Sequence, residues 1–293
     1  MQVLHDIGAL KDSLVAGGGT RPVAFVPTMG ALHEGHGACV ALARSIPGAF
    51  VVCSIFVNPA QFAPGEDFDR YPRTLDADSE LLRRWQCDAL FAPPAGAMYP
   101  APQSVWVDVE GVSEPLCGRF RPGHFRGVAT VVAKLFHIVR PAVAVFGQKD
   151  AQQALVVRAL VSQLNLGVEL RLARTVRESD GLAVSSRNAY LGAAERRQAA
   201  ALYQALGVGR RALESGERDA RRIEALAMDT LRGAGLDRID YAELRSAHDL
   251  SALERANGRV ILALAAYTGR TRLIDNMVFD VRDDAVDADA MLF

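Results

Sequence analysis

The chain has 293 residues, 50% of them hydrophobic and 23% charged, enough for two domains with cores of their own. Its formal net charge of −1 excludes the strongly basic surface that bulk attraction to nucleic acid or anionic membrane requires. No apolar run reaches membrane-spanning length, and the first residues lack a basic segment followed by an apolar core. A cytoplasmic protein with no nucleic-acid and no membrane partner is therefore expected. Cys39, Cys53, Cys87 and Cys117 are scattered without a C-x-x-C pair and read as reduced thiols. Of the 33 basic residues only Lys11, Lys134 and Lys149 are lysines. In a chain so biased toward arginine, a lysine points to a place where a compact ammonium is needed.

In chain order, the apolar spacing of Val3, Ile7, Leu10 and Leu14 predicts an amphipathic helix over 2–16, ending at Gly17-Gly18-Gly19. The run 23–26 reads as a buried strand. A Pro/Gly-punctuated turn follows, Pro27-Thr28-Met29-Gly30-Ala31-Leu32, and a helical pattern runs from His33 to Arg44. His33 and His36 lie three residues apart at the mouth of that helix, on one face. The free N–H groups and partial positive charge of a helix start suit phosphate. Taken alone, H-x-G-H also admits a metal pair or two surface histidines, although a further ligand cluster for zinc is missing.

Residues 50–57 form a second continuous apolar run, of the kind seen in parallel strands covered on both faces. Gln61 follows it, where open α/β sheets bind ligands and where an amide can both donate and accept. A helix is expected over 76–86, then strands over 88–91 and 104–109. The glycine-rich stretch 116–127 carries Arg119, Arg121, His124 and Arg126, a set suited to clamping an anion or to a subunit contact. An apolar helix with Lys134 runs over 128–139. Residues 142–146 read as another buried strand, ending in Gly147-Gln148-Lys149-Asp150 before a helix over 151–164 that carries Gln153. A lysine is disfavoured at a helix N-terminus, so Lys149 points to function. The last strand of this block is 168–173.

Strands alternating with helices to this point predict an α/β fold, a Rossmann-like doubly wound parallel sheet. Ser185-Ser186-Arg187 then combines short donors with a planar fork, a phosphate-gripping set. From about 193 the pattern changes to helices over 193–213 and 221–231 and strands over 239–244, 260–267 and 272–280. This is a smaller α+β C-terminal domain. The expected division is 1–174 for the Rossmann-like domain and 175–293 for the smaller one.

Taken together, these segments resemble the pantoate–β-alanine ligase family, within the H-x-G-H nucleotidyltransferase superfamily. The resemblance runs from Phe25 to Asn276. It is carried by Pro27 to His36, Phe56-Val57-Asn58-Pro59 with Gln61-Phe62, Asp67 to Thr74, and Arg121 to Gly127. Phe146 to Gln153, Thr175 to Glu178, Ser185 to Asn188 and Thr271 to Asn276 complete it.

The resemblance implies ATP-dependent condensation of pantoate with β-alanine through a pantoyl adenylate, releasing AMP and pyrophosphate. It implies that Met29, Gly30, Ala31, Leu32, His33, Glu34, Gly35 and His36 hold ATP, together with Gly147, Gln148, Lys149, Asp150, Val176, Val184, Ser185, Ser186 and Arg187. It places Gln61 and Gln153 on pantoate and Gln61 beside β-alanine. The catalytic set is His36, His33, Lys149 and Arg187, in a cytoplasmic homodimer using Mg2+ with ATP as co-substrate; the protein ligands of the metal are unknown. The alternative is another H-x-G-H nucleotidyltransferase, adenylating or cytidylating a small metabolite. A silent nucleotide sensor and a metal hydrolase are more distant readings. Three departures stand out. Gly37-Ala38-Cys39 replaces bulkier residues, which predicts looser packing beneath the helix. Val184 stands where Met or Leu is common. Ala77 replaces a frequent acidic residue before Asp78.

Overall fold

The computed structural model describes residues 1–282, 285–288 and 290–293. Six strands form a wholly parallel sheet: β1 (Gln2–Leu4), β2 (Val23–Thr28), β3 (Phe50–Ile55), β4 (Ala89–Phe91), β5 (Val143–Gly147) and β6 (Glu169–Ala173). Their order is β1-β4-β3-β2-β5-β6, so the winding reverses between β2 and β5. Helices cover both faces, as parallel strands require. On one face Ala24, Val26, Val51, Cys53 and Val145 pack with Val40 and Ala43 of helix α2 (Glu34–Arg44). On the other, Phe25 meets Phe136 with ring centroids 6.4 Å apart, and Phe136 in turn meets Phe146. Alternate residues of each strand thus feed two apolar layers, which is why these runs carry almost no polar residue.

The amphipathic stretch at the start is not one helix. Gln2–Leu4 pairs in parallel with Ala89–Phe91, and helix α1 (Ile7–Ser13) begins only after Asp6, whose carboxylate accepts from Ala9 N at 2.8 Å. Helix α3 (Leu75–Arg84) and the short α4 (Ala95–Met98) flank β4. The expected strand over 104–109 joins no sheet among the described residues; Val107 N donates instead to Thr130 Oγ1. The glycine-rich stretch after it contains a short helix, α5 (Cys117–Phe120). It then starts the long apolar α6 (His124–Val139) earlier than its apolar run suggests. Packing beneath α2 is not loosened by its small residues. A Cβ on Gly37 would lie 2.9 Å from the Trp85 ring, so the indole occupies the space that a larger residue would fill.

The chain divides into two compact units. The first comprises 1–113, 121–147 and 156–173; the second comprises 114–120, 148–155 and 174–293. Helix α7 (Ala151–Gln163) follows β5. Within the second unit, α8 (Ala193–Ala199), α9 (Ala201–Glu214) and α10 (Ala220–Gly233) accompany an antiparallel sheet. Its strands β7 (Ile239–Ser246), β8 (Gly258–Thr268), β9 (Thr271–Val281) and β10 (Val286–Asp287) run in the order β10-β9-β8-β7. Leu202, Leu206, Leu213, Ile223, Leu262 and Phe279 build its core. No helix of the described residues is long and apolar enough to cross a membrane.

One contact in the first unit makes a sharp prediction. A Cβ on Gly127 of α6 would lie 2.1 Å from the Ala60 carbonyl oxygen and 2.7 Å from Gln61 Cα. Both are backbone atoms that cannot rotate away. Gly127→Ala should therefore lower stability by about 2 kcal/mol or more by forcing the Pro59–Gln61 turn off the helix, as overpacking does. Urea denaturation checks this, and an unchanged midpoint would show that the turn yields freely.

Candidate active site

The crevice at the carboxyl ends of an open α/β sheet, at the point where strand order reverses, is where such folds bind ligands. Here the reversal lies between β2 and β5. The chain leaving β2 carries the two histidines, and the chain leaving β5 carries Lys149.

The turn after β2 is bent sharply. Gly30 has φ 84° and Ala31 has φ 50°, both left-handed, and the second is a conformation that an L side chain adopts reluctantly. Asp78 of α3 holds the bend: its carboxylate accepts from Ala31 N at 2.9 Å and from Leu32 N at 2.8 Å, with Thr74 Oγ1 at 3.2 Å. Asp78 is 2% exposed, and a Cβ on Gly30 would come within 3.0 Å of its Oδ2. His33 is the N-cap of α2, its Nδ1 accepting from Gly35 N at 3.2 Å, while His36 Nδ1 accepts from His33 N at 3.3 Å. The rings lie 4.1 Å apart, centroid to centroid. Because each Nδ1 accepts a backbone hydrogen, the neutral form of each ring keeps its proton on Nε2. Both imidazoles can thus donate without first being charged.

Gln61 lies against this turn. It is 8% exposed, and its Nε2 donates to Met29 Sδ at 3.2 Å. Its Oε1 accepts from Asn58 Nδ2 at 2.9 Å, and its backbone carbonyl accepts from His124 Nδ1 at 2.9 Å and Arg121 Nη2 at 3.3 Å. Arg121 is anchored in turn by Glu66, through bonds of 2.7 and 2.6 Å. Burial works to raise the Glu66 carboxyl, but the guanidinium bonded to it prevails and holds it below the usual carboxylate range. The arginines of the glycine-rich stretch are thus engaged with other parts of the protein: Arg121 with Glu66, Arg119 with Glu243 and Arg126 with Asp108.

In the second unit, Gln148–Asp150 form a 3-10 turn with Lys149 Nζ 3.8 Å from Asp150 Oδ1. Asn276 Nδ2 donates to the carbonyls of Gln148 and Lys149 at 3.1 and 2.8 Å. Asp275, 2% exposed, accepts both Nη atoms of Arg177 at 2.6 and 3.0 Å and the Asn276 N–H at 2.8 Å. The side chain of Gln148 is occupied at the tail, donating to Ala290 O and accepting from Leu292 N. Gln153 is half-buried on the first turn of α7. Val184 N donates to Val176 O at 2.9 Å, which brings 176 beside the 184–187 segment. Ser185 Oγ caps the following turn by accepting from Arg187 N at 3.3 Å, with Ser186 and Arg187 half-buried after it.

The candidate residues thus fall into two sets. Met29, Gly30, Ala31, Leu32, His33, Glu34, Gly35, His36 and Gln61 are grouped in the first unit, where Gly147 ends β5. Gln148, Lys149, Asp150, Gln153, Val176, Val184, Ser185, Ser186 and Arg187 belong to the second. Sequence reasoning assigned no role to Asp78, Asn58, Tyr99, Arg177, Asp275 or Asn276, which hold the candidates in place. The only advance signal for Asp78 was an acidic residue in the first turn of a helix, which the helix dipole explains without any further duty. The described residues contain no group of three or more His, Cys, Asp or Glu able to hold a metal ion.

A family model described as pantoate-beta-alanine ligase matches residues 2–278. The pantothenate synthetase of Thiobacillus denitrificans is 50% identical over 278 residues, 94% of this chain and 96% of that protein. That of Moorella thermoacetica is 48% identical over 284 residues, 97% of this chain and 100% of that protein. The crystal structure of the Thermus thermophilus pantothenate synthetase superposes with a TM-score of 0.90 at 43% identity, covering 94% of this chain and 98% of that one. A Francisella tularensis pantoate-beta-alanine ligase, solved in complex with beta-gamma ATP and beta-alanine, has a TM-score of 0.79 at 30% identity over 94% and 97% of the two chains.

The grip of Asp78 on two amides predicts the behaviour of its nearest isostere. Asp78→Asn keeps one acceptor oxygen and turns an NH2 toward the other amide N–H. It should cost about 2 kcal/mol, the penalty of a buried donor left facing a donor. Denaturant titration reads this directly; a loss under half that size would show that the bend does not depend on the carboxylate.

Proposed function

Since the chain belongs to the pantoate-beta-alanine ligase family, we propose that it condenses pantoate with β-alanine in an ATP-dependent reaction that releases AMP and pyrophosphate. A carboxylate oxygen of pantoate attacks the α-phosphorus of ATP, the bond to the pyrophosphate oxygen breaks, and pantoyl adenylate forms. The neutral amine of β-alanine then attacks the acyl carbon. AMP leaves with the carboxylate oxygen, and the amine loses a proton as the amide forms. The supporting observation is the contact of Gln61 Nε2 with Met29 Sδ at 3.2 Å. It sets an amide suited to an acid against the turn that leads to the imidazoles suited to phosphate.

His33 and His36 donate from Nε2 to phosphate oxygens at the start of α2, with His36 at the reacting centre. Lys149, Ser185, Ser186 and Arg187 supply further donors as charge shifts onto pyrophosphate, a task of positioning and electrostatics rather than covalent chemistry. Met29 to Glu34, Gly147, Gln148, Asp150, Val176 and Val184 line the nucleotide through backbone and side-chain contact. Gln148 does so by its backbone, because its side chain is engaged with Ala290 and Leu292. Gln61 and Gln153 hold pantoate, and Gln61 also faces β-alanine. Residues 1–174 form the main ATP- and pantoate-binding domain, and 175–293 add Val176 and Val184 to Arg187 and serve as the lid that excludes water from the mixed anhydride.

Magnesium would enter with ATP. Both carboxylate oxygens of Asp78 are taken up by Ala31, Leu32 and Thr74, and Ala77 offers no ligand. The described residues thus do not fit a protein cage for the ion, and phosphate oxygens would supply its inner contacts. We further assign the protein to the cytoplasm and to a homodimer. Supporting the dimer, the strand-like segment 104–109 joins no sheet among the described residues and exposes Val105 and Trp106.

Pyrophosphate release from ATP should require pantoate but not β-alanine. His36→Ala should cut it about 100-fold or more, as removing a donor to developing charge does, while the protein still folds and its melting temperature falls only by the loss of one capping bond. Release without pantoate, formation of ADP, or wild-type turnover by the variant would each overturn the reading. A phosphate-capping nucleotidyltransferase would instead ignore both pantoate and β-alanine.

A further inference from the structure

Gln61 has a fixed hydrogen-bond polarity, and the fixing comes from the groups packed behind its side chain. Asn58, 1% exposed, has every hydrogen-bonding position of its amide engaged. Its Oδ1 accepts from Ala60 N at 3.2 Å and from Tyr99 Oη at 2.8 Å; its Nδ2 donates to Gly127 O at 3.2 Å and to Gln61 Oε1 at 2.9 Å. Two of those partners are backbone groups of unalterable sign: a peptide N–H on the oxygen side and a carbonyl on the nitrogen side. Asn58 therefore cannot flip, Tyr99 must donate to it, and Gln61 must turn Oε1 toward it. The Gln61 NH2 is left facing Met29, whose thioether is a weak acceptor that an oxygen readily displaces.

Tyr99 is built to remain a donor. Its ring lies under Lys134, with Nζ 4.6 Å from the centroid, and beside Phe56 at 6.1 Å. Lys134 is one of the three lysines in this arginine-biased chain, and its Nζ also reaches Gln103 Oε1 at 3.5 Å. Burial pushes the Tyr99 phenol up to about 12, so it stays protonated through the working range of an enzyme.

We propose that Tyr99 is a positioning residue: acting through Asn58, it holds Gln61 with its amide hydrogens outward, so that the site selects an acid presenting a hydroxyl or carboxylate oxygen there. This rests on the assignment of Gln61 to pantoate. Tyr99 touches no substrate. The backbone of Ala60 and Gly127 fixes which end of the Gln61 amide faces outward, and the Tyr99 hydroxyl holds Asn58 in that place.

The test compares Tyr99→Phe, Gln61→Ala, Gln61→Glu and the Tyr99→Phe/Gln61→Ala pair by steady-state kinetics and thermal melting. Tyr99→Phe keeps the ring under Lys134 and removes only the hydroxyl. It should raise the pantoate KM about fivefold, the worth of one buried hydrogen bond, leave the ATP KM unchanged and lower the melting temperature only by the small amount that one such bond contributes. In the Gln61→Ala background the same change should have no further effect on the pantoate KM. Gln61→Glu, which replaces the outward donor with an acceptor, should be worse for pantoate than Gln61→Ala. If Gln61→Ala raises the pantoate KM but Tyr99→Phe does not, or if Tyr99→Phe raises both KM values equally, the positioning role is wrong while the site assignment stands. If Gln61→Ala itself leaves the pantoate KM unchanged, the assignment of Gln61 fails and the proposal with it.

Discussion

The carboxylate of Asp78 reaches across to the amides of Ala31 and Leu32, and the first half of the site depends on that grip. Two consecutive residues there sit at positive φ, which costs about 1–3 kcal/mol for the non-glycine member and persists only where neighbours enforce it. The bend sets the direction in which the chain enters α2, and that entry makes His33 an N-cap rather than a residue of the helix. With His33 outside the helix, both imidazoles accept backbone hydrogens through Nδ1 and keep their protons on Nε2, the atom that donates. A helix start that binds anions is commonplace. One that also carries two oriented neutral donors depends on the carboxylate behind it.

The same logic recurs around the other candidates: each candidate side chain is held by partners to which no ligand role is assigned. Gln61 is held twice, through its side chain by Asn58 and through its carbonyl by Arg121 and His124. In the second unit, Arg177 and Asp275 form a bidentate pair whose carboxylate also takes the Asn276 N–H, and Asn276 then clasps the carbonyls of Gln148 and Lys149, on either side of the Lys149 Cα. Of these partners Asn58, Asp275 and Asn276 are buried, and Arg121, His124 and Arg177 are half-buried. Each bond left unmade would cost more than it contributes when made, so the networks specify one arrangement rather than many.

Sequence pattern reached the parts of this molecule that depend on local periodicity. The buried strands at Val23, Phe50 and Ala142 announced themselves as uninterrupted apolar runs, and the turn motifs between them fell where a doubly wound sheet places its ligands. It failed where two periods overlap or where the partner is distant in the chain. Val3 satisfied a helical spacing with Ile7 and Leu10, yet Gln2–Leu4 pairs with a strand that begins at Ala89. Residues 104–109 alternate as a strand does, but alternation cannot supply a neighbour. The separation of Gly37 and Trp85 hid the packing that fills the space beneath α2. The grip of Asp78 on the turn, 46 and 47 residues away, has no local signature at all.

If the turn that Asp78 holds presents its donors to the α-phosphate, a carboxylate oxygen of pantoate must become an oxygen of AMP. Pantoate labelled with 18O in the carboxylate, turned over with ATP and β-alanine, should deliver one labelled oxygen to AMP and none to pyrophosphate. Label appearing in inorganic phosphate with ADP, or AMP free of label, would contradict attack at the α-phosphorus and the account built on it.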